Sequence, residues 1–523
     1  MRGADALIRA LVSRDVTAIF ALSGNQIMPV FDAIFDTDIQ LIHTRHEAAT
    51  VQMAEAYAQV TNGVGVALVT AGGGLGNAAG ALIAARASDT PVVLLSGDSP
   101  VAKDGAGAFQ EMDQIALTQS MTKASWRIMT ADDIGPSVLR ALDLAQRGRP
   151  GPVHLALPAD VLLEQVATPV AQPPTPDSET SEALDLQRMA EARAPLVILG
   201  PSLTETRAPG LAAHLQTALA APVVAMESPR GLNDPALGRL RELAREVDHV
   251  LCIGKQIDFT LGFGAAEHWP QAQTWDVVAG DQVSLDLARK NLGPRLHSSL
   301  EAHGKEAAKA LLATSPDQPE RTAWIKRARA MLSARVASPV SQRITPADIC
   351  GAVQTDLDAA DETVLICDGG EFGQWAQAFS TAPRRVMNGV SGMIGGGLGY
   401  AMGAKTAAPD ALVVALMGDG TVGFHLGEFE TAVRAQLPFV AVIGNDRRWN
   451  AEHLIQTRSF GAERRIGCDL SGARYDLAVE ALGGFGAHVT RKDQLGPALR
   501  SALESGLPAC INVEMEGFAA PSF

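Results

Sequence analysis

The stretch "ALVVALMGDGTVGFHLGEFETAVRAQLPFVAVIGND" (411–446) decides the fold. A continuous apolar run stops at Asp419, an acid held between Gly418 and Gly420. A segment with helical spacing follows, "HLGEFETAVRAQL" (425–437). A second apolar run, "PFVAVIG", then ends on Asn445 and Asp446. Strand, crossover helix and strand make one βαβ unit. Its right-handed crossover returns both strand ends to the same edge of a parallel sheet. Asp419 and Asp446, 27 positions apart, would thus place two oxygen ligands beside a helix N-terminus, a setting suited to Mg²⁺ and a diphosphate. Flanking glycines allow the backbone to approach closely. A GDG tripeptide alone is more often a plain turn; the second acidic strand end argues for a site.

The same alternation fills the rest of the chain. Short apolar runs such as "TAIFALSG", "GVGVALVTAGGG" and "PVVLLSGD" come first, then "APLVILG", "HVLCIGK" and "TWDVVAG", and finally "ETVLICDGG" and "PACINVEM". Continuous apolar strands between helices indicate parallel sheets covered on both faces. Two polar, proline-bearing stretches, 167–183 and 313–324, read as linkers. The sequence therefore predicts three doubly wound α/β domains, over 1–166, 184–312 and 340–523, with ligands at the carboxyl ends of the strands.

Composition bounds the function. With 523 residues, two to four cores are expected. A net charge of −15 argues against nucleic acid or an anionic membrane as the main partner. No apolar run of about twenty residues appears, so no spanning helix is expected. The N-terminal "MRGADALIRALVSRD" reads as an amphipathic helix and lacks a signal peptide's apolar block. Five scattered cysteines without a CxxC spacing favour neither a disulfide framework nor a thiolate zinc site, and fit a reducing cytoplasm.

Three motifs in order resemble the thiamine-diphosphate (ThDP) enzymes, in the branch of acetolactate synthase and benzaldehyde lyase. The first is the GDG stretch with its paired strand end. The second is "RHEAATVQMAEAYA" (45–58) followed by "TAGGGLGN" (70–77). The third is "NGVSGMIGGGLGYAMG" (388–403). The resemblance implies Mg²⁺ ligation by Asp419, Asp446 and the main-chain carbonyl of Arg448. It places Gly73, Asn77, Gly418, Gly420, Thr421 and Trp449 at the cofactor. Asp446 stands where the family has an amide, and Arg447 and Arg448 would compensate its charge. Glu47 would hydrogen-bond the pyrimidine ring and promote its imino form, which takes the thiazolium proton. Ile394 would bend the cofactor, and the carbonyl of Gly392 would accept from its aminopyrimidine. The implied domains are pyrimidine-binding, central and diphosphate-binding. Because Glu47 would reach a cofactor held by another subunit, a homodimer or tetramer is implied. "TAGGGLGN" departs from the dinucleotide spacing G-x-G-x-x-G, with Asn77 in the last glycine's place.

Substrate-facing positions point in several directions. "LSGNQIMPVFDAI" (22–34) and "AFQEMDQIALTQSMTK" (108–123) resemble acetolactate synthase, whereas "GEFETAVRAQLPF" and "PACINV" resemble benzaldehyde lyase. Gln26 stands where that lyase has a histidine. "GKQIDFTLGFG" (254–264) resembles 2-hydroxyacyl-CoA lyases and oxalyl-CoA decarboxylases. The region 227–250 is shortened and the usual C-terminal cover is missing, which weighs against FAD and against acetolactate synthase proper. Gln26, Phe109, Gln110, Glu371, His425 and Trp449 are candidates for the substrate end, with Gln26 and Gln110 foremost. The resemblance implies a ThDP- and Mg²⁺-dependent carbon–carbon lyase or carboligase acting on a 2-oxo acid. The alternatives are a 2-hydroxyacyl-CoA lyase or oxalyl-CoA-decarboxylase-like enzyme, or a ThDP-binding subunit without chemistry of its own.

Overall fold

In a computed structural model, residues 1–167, 184–313 and 320–523 are described. Most of the first linker expected from sequence (168–183) and the centre of the second (314–319) lie outside the described residues. The far end of the second stretch departs from the linker reading. A helix begins at Thr322 and runs to Leu332. Just before it, the buried Arg321 guanidinium donates to the carbonyls of Ala192, Leu219 and Met189. Trp324 Nε1 donates to Pro195 O at 2.8 Å. Proline spacing suggested a free connection, but a buried cation with several carbonyl partners docks the segment.

Three parallel sheets carry the fold. The first orders its strands Gln40–His43, Ala18–Ala21, Gly65–Val69, Val92–Asp98, Val153–Pro158, Ala124–Arg127. The central sheet has five strands between Pro195 and Glu301. The third runs Arg384–Met387, Thr363–Cys367, Leu412–Gly418, Val440–Asn445, Ala509–Glu514, Phe485–Val489. Its inner strands are buried almost throughout, as the continuous apolar runs require. The order in which strands are laid down reverses between the parallel neighbours Thr363–Cys367 and Leu412–Gly418, and in the first sheet between Ala18–Ala21 and Gly65–Val69. Crevices open at such switch points, outside the carboxyl ends of the strands. Asp368 and Asp419 stand at one; Gln26 and Thr70 follow the strands at the other.

The first and third sheets share one hydrophobic core. Phe20, Met53, Tyr400 and Phe429 belong to a single buried cluster. Helix Glu47–Thr61 lies directly on helix Gly397–Ala407. Glycine makes that contact possible: a Cβ on Gly399 would sit 2.7 Å from Gln52 Cβ, and one on Gly403 would sit 2.2 Å from Met53 O. Four residues apart, these glycines occupy one helix face. No helix among the described residues is long and apolar enough to cross a membrane.

Candidate active site

The crossover segment is shorter than its spacing suggests. A single helical turn, Asp419–Val422, follows the strand, and the helix proper is Glu428–Arg434. His425 therefore precedes the helix and does not open it.

Ile394, Gly418, Asp419, Gly420, Thr421, Asp446, Arg448 and Trp449 line one cavity together with Glu371. Asp419 is 2% exposed, and its Oδ2 is buried without a hydrogen-bond partner. Burial, and then the facing Asp446, push its carboxyl up to about 7. Burial likewise raises Asp446 to about 6, against the pull of the Arg448 guanidinium. The compensating charge thus comes from Arg448, while Arg447 turns to Glu514 at 2.9 Å. Asn445 faces away from the cavity: its Nδ2 donates to Asn512 Oδ1 at 3.0 Å and its Oδ1 accepts from Arg447 N at 3.2 Å. A buried acid with an orphaned oxygen and a half-buried acid facing it form a donor set that fits a hard divalent cation.

The glycines beside Asp419 differ in role. A Cβ on Gly420 would sit 2.6 Å from the Trp449 ring, so the indole demands glycine there. A Cβ on Gly418 would meet only Thr421 Oγ1, at 3.9 Å; the space beside it is open to a ligand. Thr421 Oγ1 donates to Gly418 O, and Tyr475 OH donates to Asp419 O. Ile394 packs on Gly369, where a Cβ would lie 2.4 Å from its Cγ2. Gly392 is exposed with φ +66°.

A second group gathers at the first sheet. Gln26 Nε2 donates to Gln110 Oε1 at 2.7 Å, and Gln26 Oε1 accepts from Thr70 Oγ1 at 2.5 Å. Asn77 Nδ2 donates to Glu47 Oε2 at 3.0 Å. A Cβ on Gly73 would meet nothing within 4 Å, leaving room above the start of helix Gly73–Ala87. Gln110 has a left-handed φ of +60°, and a Cβ on Gly72 would press on its Cβ at 2.9 Å. Phe109 is 70% exposed.

The structure keeps these groups apart within one chain, since Glu47 and Asn77 do not line the cavity of Asp419. His425 does not line it either. Its ring lies 5.0 Å from that of His46 beside Gln52, and burial holds it down at about 4. Glu371 does line it, raised by burial, and accepts from Ala520 N.

Two functional acids escaped the sequence reading. Asp368 is wholly buried and accepts from the backbone N–H groups of Gly369, Gly395 and Gly397 at 2.6, 3.0 and 3.2 Å, fixing the loop that carries Ile394. A strand-ending acid before two glycines, "CDGG", repeats the GDG pattern and is the signal that could have revealed it. Glu428 is 1% exposed and accepts from Arg45 N and His46 N, just ahead of Glu47.

Comparison with known proteins bears on this arrangement. Residues 1–117 match the family model "Thiamine pyrophosphate enzyme, N-terminal TPP binding domain", and residues 368–513 match "Thiamine pyrophosphate enzyme, C-terminal TPP binding domain". The chain is 30% identical to 2-hydroxyacyl-CoA lyase 2 of Bos taurus, over 98% of this chain and 89% of that protein. It is also 30% identical to the acetolactate synthase large subunit of Mycobacterium tuberculosis, over 97% and 94%. Its fold matches the solved thiamine diphosphate-dependent 4-hydroxybenzoylformate decarboxylase of Rhodococcus jostii RHA1 with a TM-score of 0.81 at 21% identity, covering 99% of this chain and 100% of that one.

Proposed function

The chain belongs to the thiamine pyrophosphate enzyme family, and from that premise we propose that it is a ThDP- and Mg²⁺-dependent carbon–carbon lyase or carboligase acting on a 2-oxo acid. The observation that carries this reading is the orphaned, buried Oδ2 of Asp419 facing Asp446 across a cavity walled by Ile394. Asp419, Asp446 and the Arg448 carbonyl would hold Mg²⁺ and, through it, the diphosphate. Bound ThDP would supply the electron sink that lets a substrate's carbonyl carbon carry negative charge.

This chain's residues do the remaining work. Glu47, oriented by Asn77, holds a proton at the pyrimidine. Asp368 fixes the Ile394 loop against Gly369. Gln26 and Gln110, joined by a hydrogen bond and to Thr70, present amide groups to the substrate's polar atoms. Glu47 stands apart from its own chain's Asp419 cavity, which supports a homo-oligomer in which Glu47 of one copy serves the cavity of another. The five cysteines are unpaired, consistent with action in a reducing cytoplasm.

A second reading has specific support. Identity to 2-hydroxyacyl-CoA lyase 2 equals that to acetolactate synthase, so cleavage of a 2-hydroxyacyl-CoA stands beside 2-oxo acid turnover. Pyruvate consumption with carbon dioxide release, set against formyl-CoA and aldehyde release, separates the two. Deuterium exchange at the cofactor's reactive carbon tests whether chemistry occurs at all. A rate no faster than that of free ThDP would favour a non-catalytic subunit.

A further inference from the structure

Behind the Arg448–Trp449 turn, outside the cavity, three side chains of different donor type face one another. His453 sits on helix Asn450–Phe460, and Cys468 and Asp469 follow on a loop. His453 Nδ1 lies 3.9 Å from Cys468 Sγ and 3.5 Å from Asp469 Oδ1, and all three donor atoms fall within 4.8 Å of one another. His453 and Cys468 are buried, whereas Asp469 is exposed, so the group opens to solvent on its carboxylate side. The other four cysteines lie in the hydrophobic cores.

The main chain holds this loop independently of the three side chains. Trp449 N donates to Cys468 O at 2.8 Å, Leu470 N donates to Arg447 O at 2.7 Å, and Ile466 N donates to Gln456 Oε1 at 2.7 Å. We propose that His453, Cys468 and Asp469 form a site for a tetrahedral, thiolate-accepting divalent cation of the Zn²⁺ class, separate from any Mg²⁺ in the diphosphate cavity.

The spacing suits that ion. Bonds of about 2.0–2.3 Å at tetrahedral angles put ligand atoms about 3.3–3.6 Å apart. The two distances to His453 Nδ1 need only small closure, and the exposed Asp469 can rotate to complete the set. Mg²⁺ prefers oxygen ligands and disfavours this thiolate–imidazole pair.

Arg465 opposes binding. Its Nη1 donates to His453 Nε2 at 2.6 Å, which leaves the ring proton on Nδ1. On ion entry the thiol proton leaves to solvent, the ring proton passes from Nδ1 to Nε2, and the exposed Arg465 swings away. A bound ion would then clamp the loop to the helix that follows Arg448.

The test titrates the full-length, metal-free protein with Cd²⁺ in excess Mg²⁺ and reads the ultraviolet sulfur-to-cadmium charge-transfer band. One equivalent per chain is expected. The band should vanish in Cys468→Ser, weaken about tenfold in the surface variant Asp469→Asn, and tighten about tenfold in Arg465→Ala. No band in the wild-type protein would overturn the site, leaving a hydrogen-bond network only. A band that survives Cys468→Ser, or affinities unmoved in both surface variants, would overturn it equally.

Discussion

Glu428 accepts hydrogen bonds from the backbone N–H groups of His46, at 2.8 Å, and of Arg45, at 3.0 Å. It also accepts from Thr431 Oγ1 at 2.6 Å. An acid from the crossover after the GDG loop therefore caps the helix that presents Glu47. Glu428→Ala would leave those donors without their acceptor. A loss of about 1–3 kcal/mol is expected by chemical denaturation, with slower deuterium exchange at the cofactor carbon because Glu47 loses its anchored base. Unchanged stability would count against the cap.

Crossing two inactive variants tests the subunit arrangement. The Glu47→Gln and Asp419→Asn variants should each lose about 100-fold or more in activity. If the proposed sharing between subunits holds, mixing the two variants should recover part of it, because some interfaces then carry both intact groups. No recovery after demonstrated subunit exchange would place both groups in the same chain's site.

The acid pair predicts opposite pH slopes with and without ligand. Asp419 at about 7 and Asp446 at about 6 lie above the ordinary 3.8. Raised carboxyls stabilise the apo fold fully below that ordinary value, and the contribution is lost as pH rises through 6 to 7. Metal binding needs the carboxylates, so Mg²⁺ affinity should rise roughly tenfold or more between about pH 5.5 and about pH 7.5. Asp446→Asn should retain ThDP and move this dependence to lower pH, by removing the charge facing Asp419. Calorimetric titration across pH reads both effects.

Gly517 bears on the second acid. A Cβ there would lie 2.7 Å from Asp446 Oδ2 and 3.3 Å from its Cβ. Gly517→Ala should displace that carboxylate and weaken Mg²⁺-supported ThDP binding by about tenfold, with little change in thermal stability.

Glu55 provides a check outside the cavity lining. It is fully buried, accepts from Ser88 Oγ, Tyr400 OH and Gln59 Nε2, and is lifted to about 7 by burial. Its stabilisation is complete below the ordinary 4.5 and fades as pH passes 7. Glu55→Gln should flatten this loss, giving a melting temperature a few degrees above wild type at about pH 8. An unchanged pH slope would rule the residue out as its source.

The main features of the fold were legible because they are local. Apolar runs ending in acids announced parallel strands, and Asp419 and Asp446 fell at strand ends of one sheet. What stayed hidden depends on partners distant in sequence. Nothing near Glu428 in sequence shows that its carboxylate accepts from Arg45 N and His46 N. The Gln26–Gln110 hydrogen bond joins a short helical turn, Asn25–Ile27, to a loop that it meets only once the sheet forms. The stretch up to Trp324 looked like a linker because burial of Arg321 among carbonyls leaves no periodic trace. Of the two glycines beside Asp419, sequence could not tell that Trp449 constrains Gly420 and leaves Gly418 open.

Gly399 and Gly403, pressed against Gln52 and Met53, make the opening and closing thirds of the chain co-dependent. Each supplies part of a common interior besides a core of its own, so either third alone would leave a broad apolar face uncovered. During synthesis, the side of helix Glu47–Thr61 that meets these glycines stays bare until residues 399 and 403 have left the ribosome.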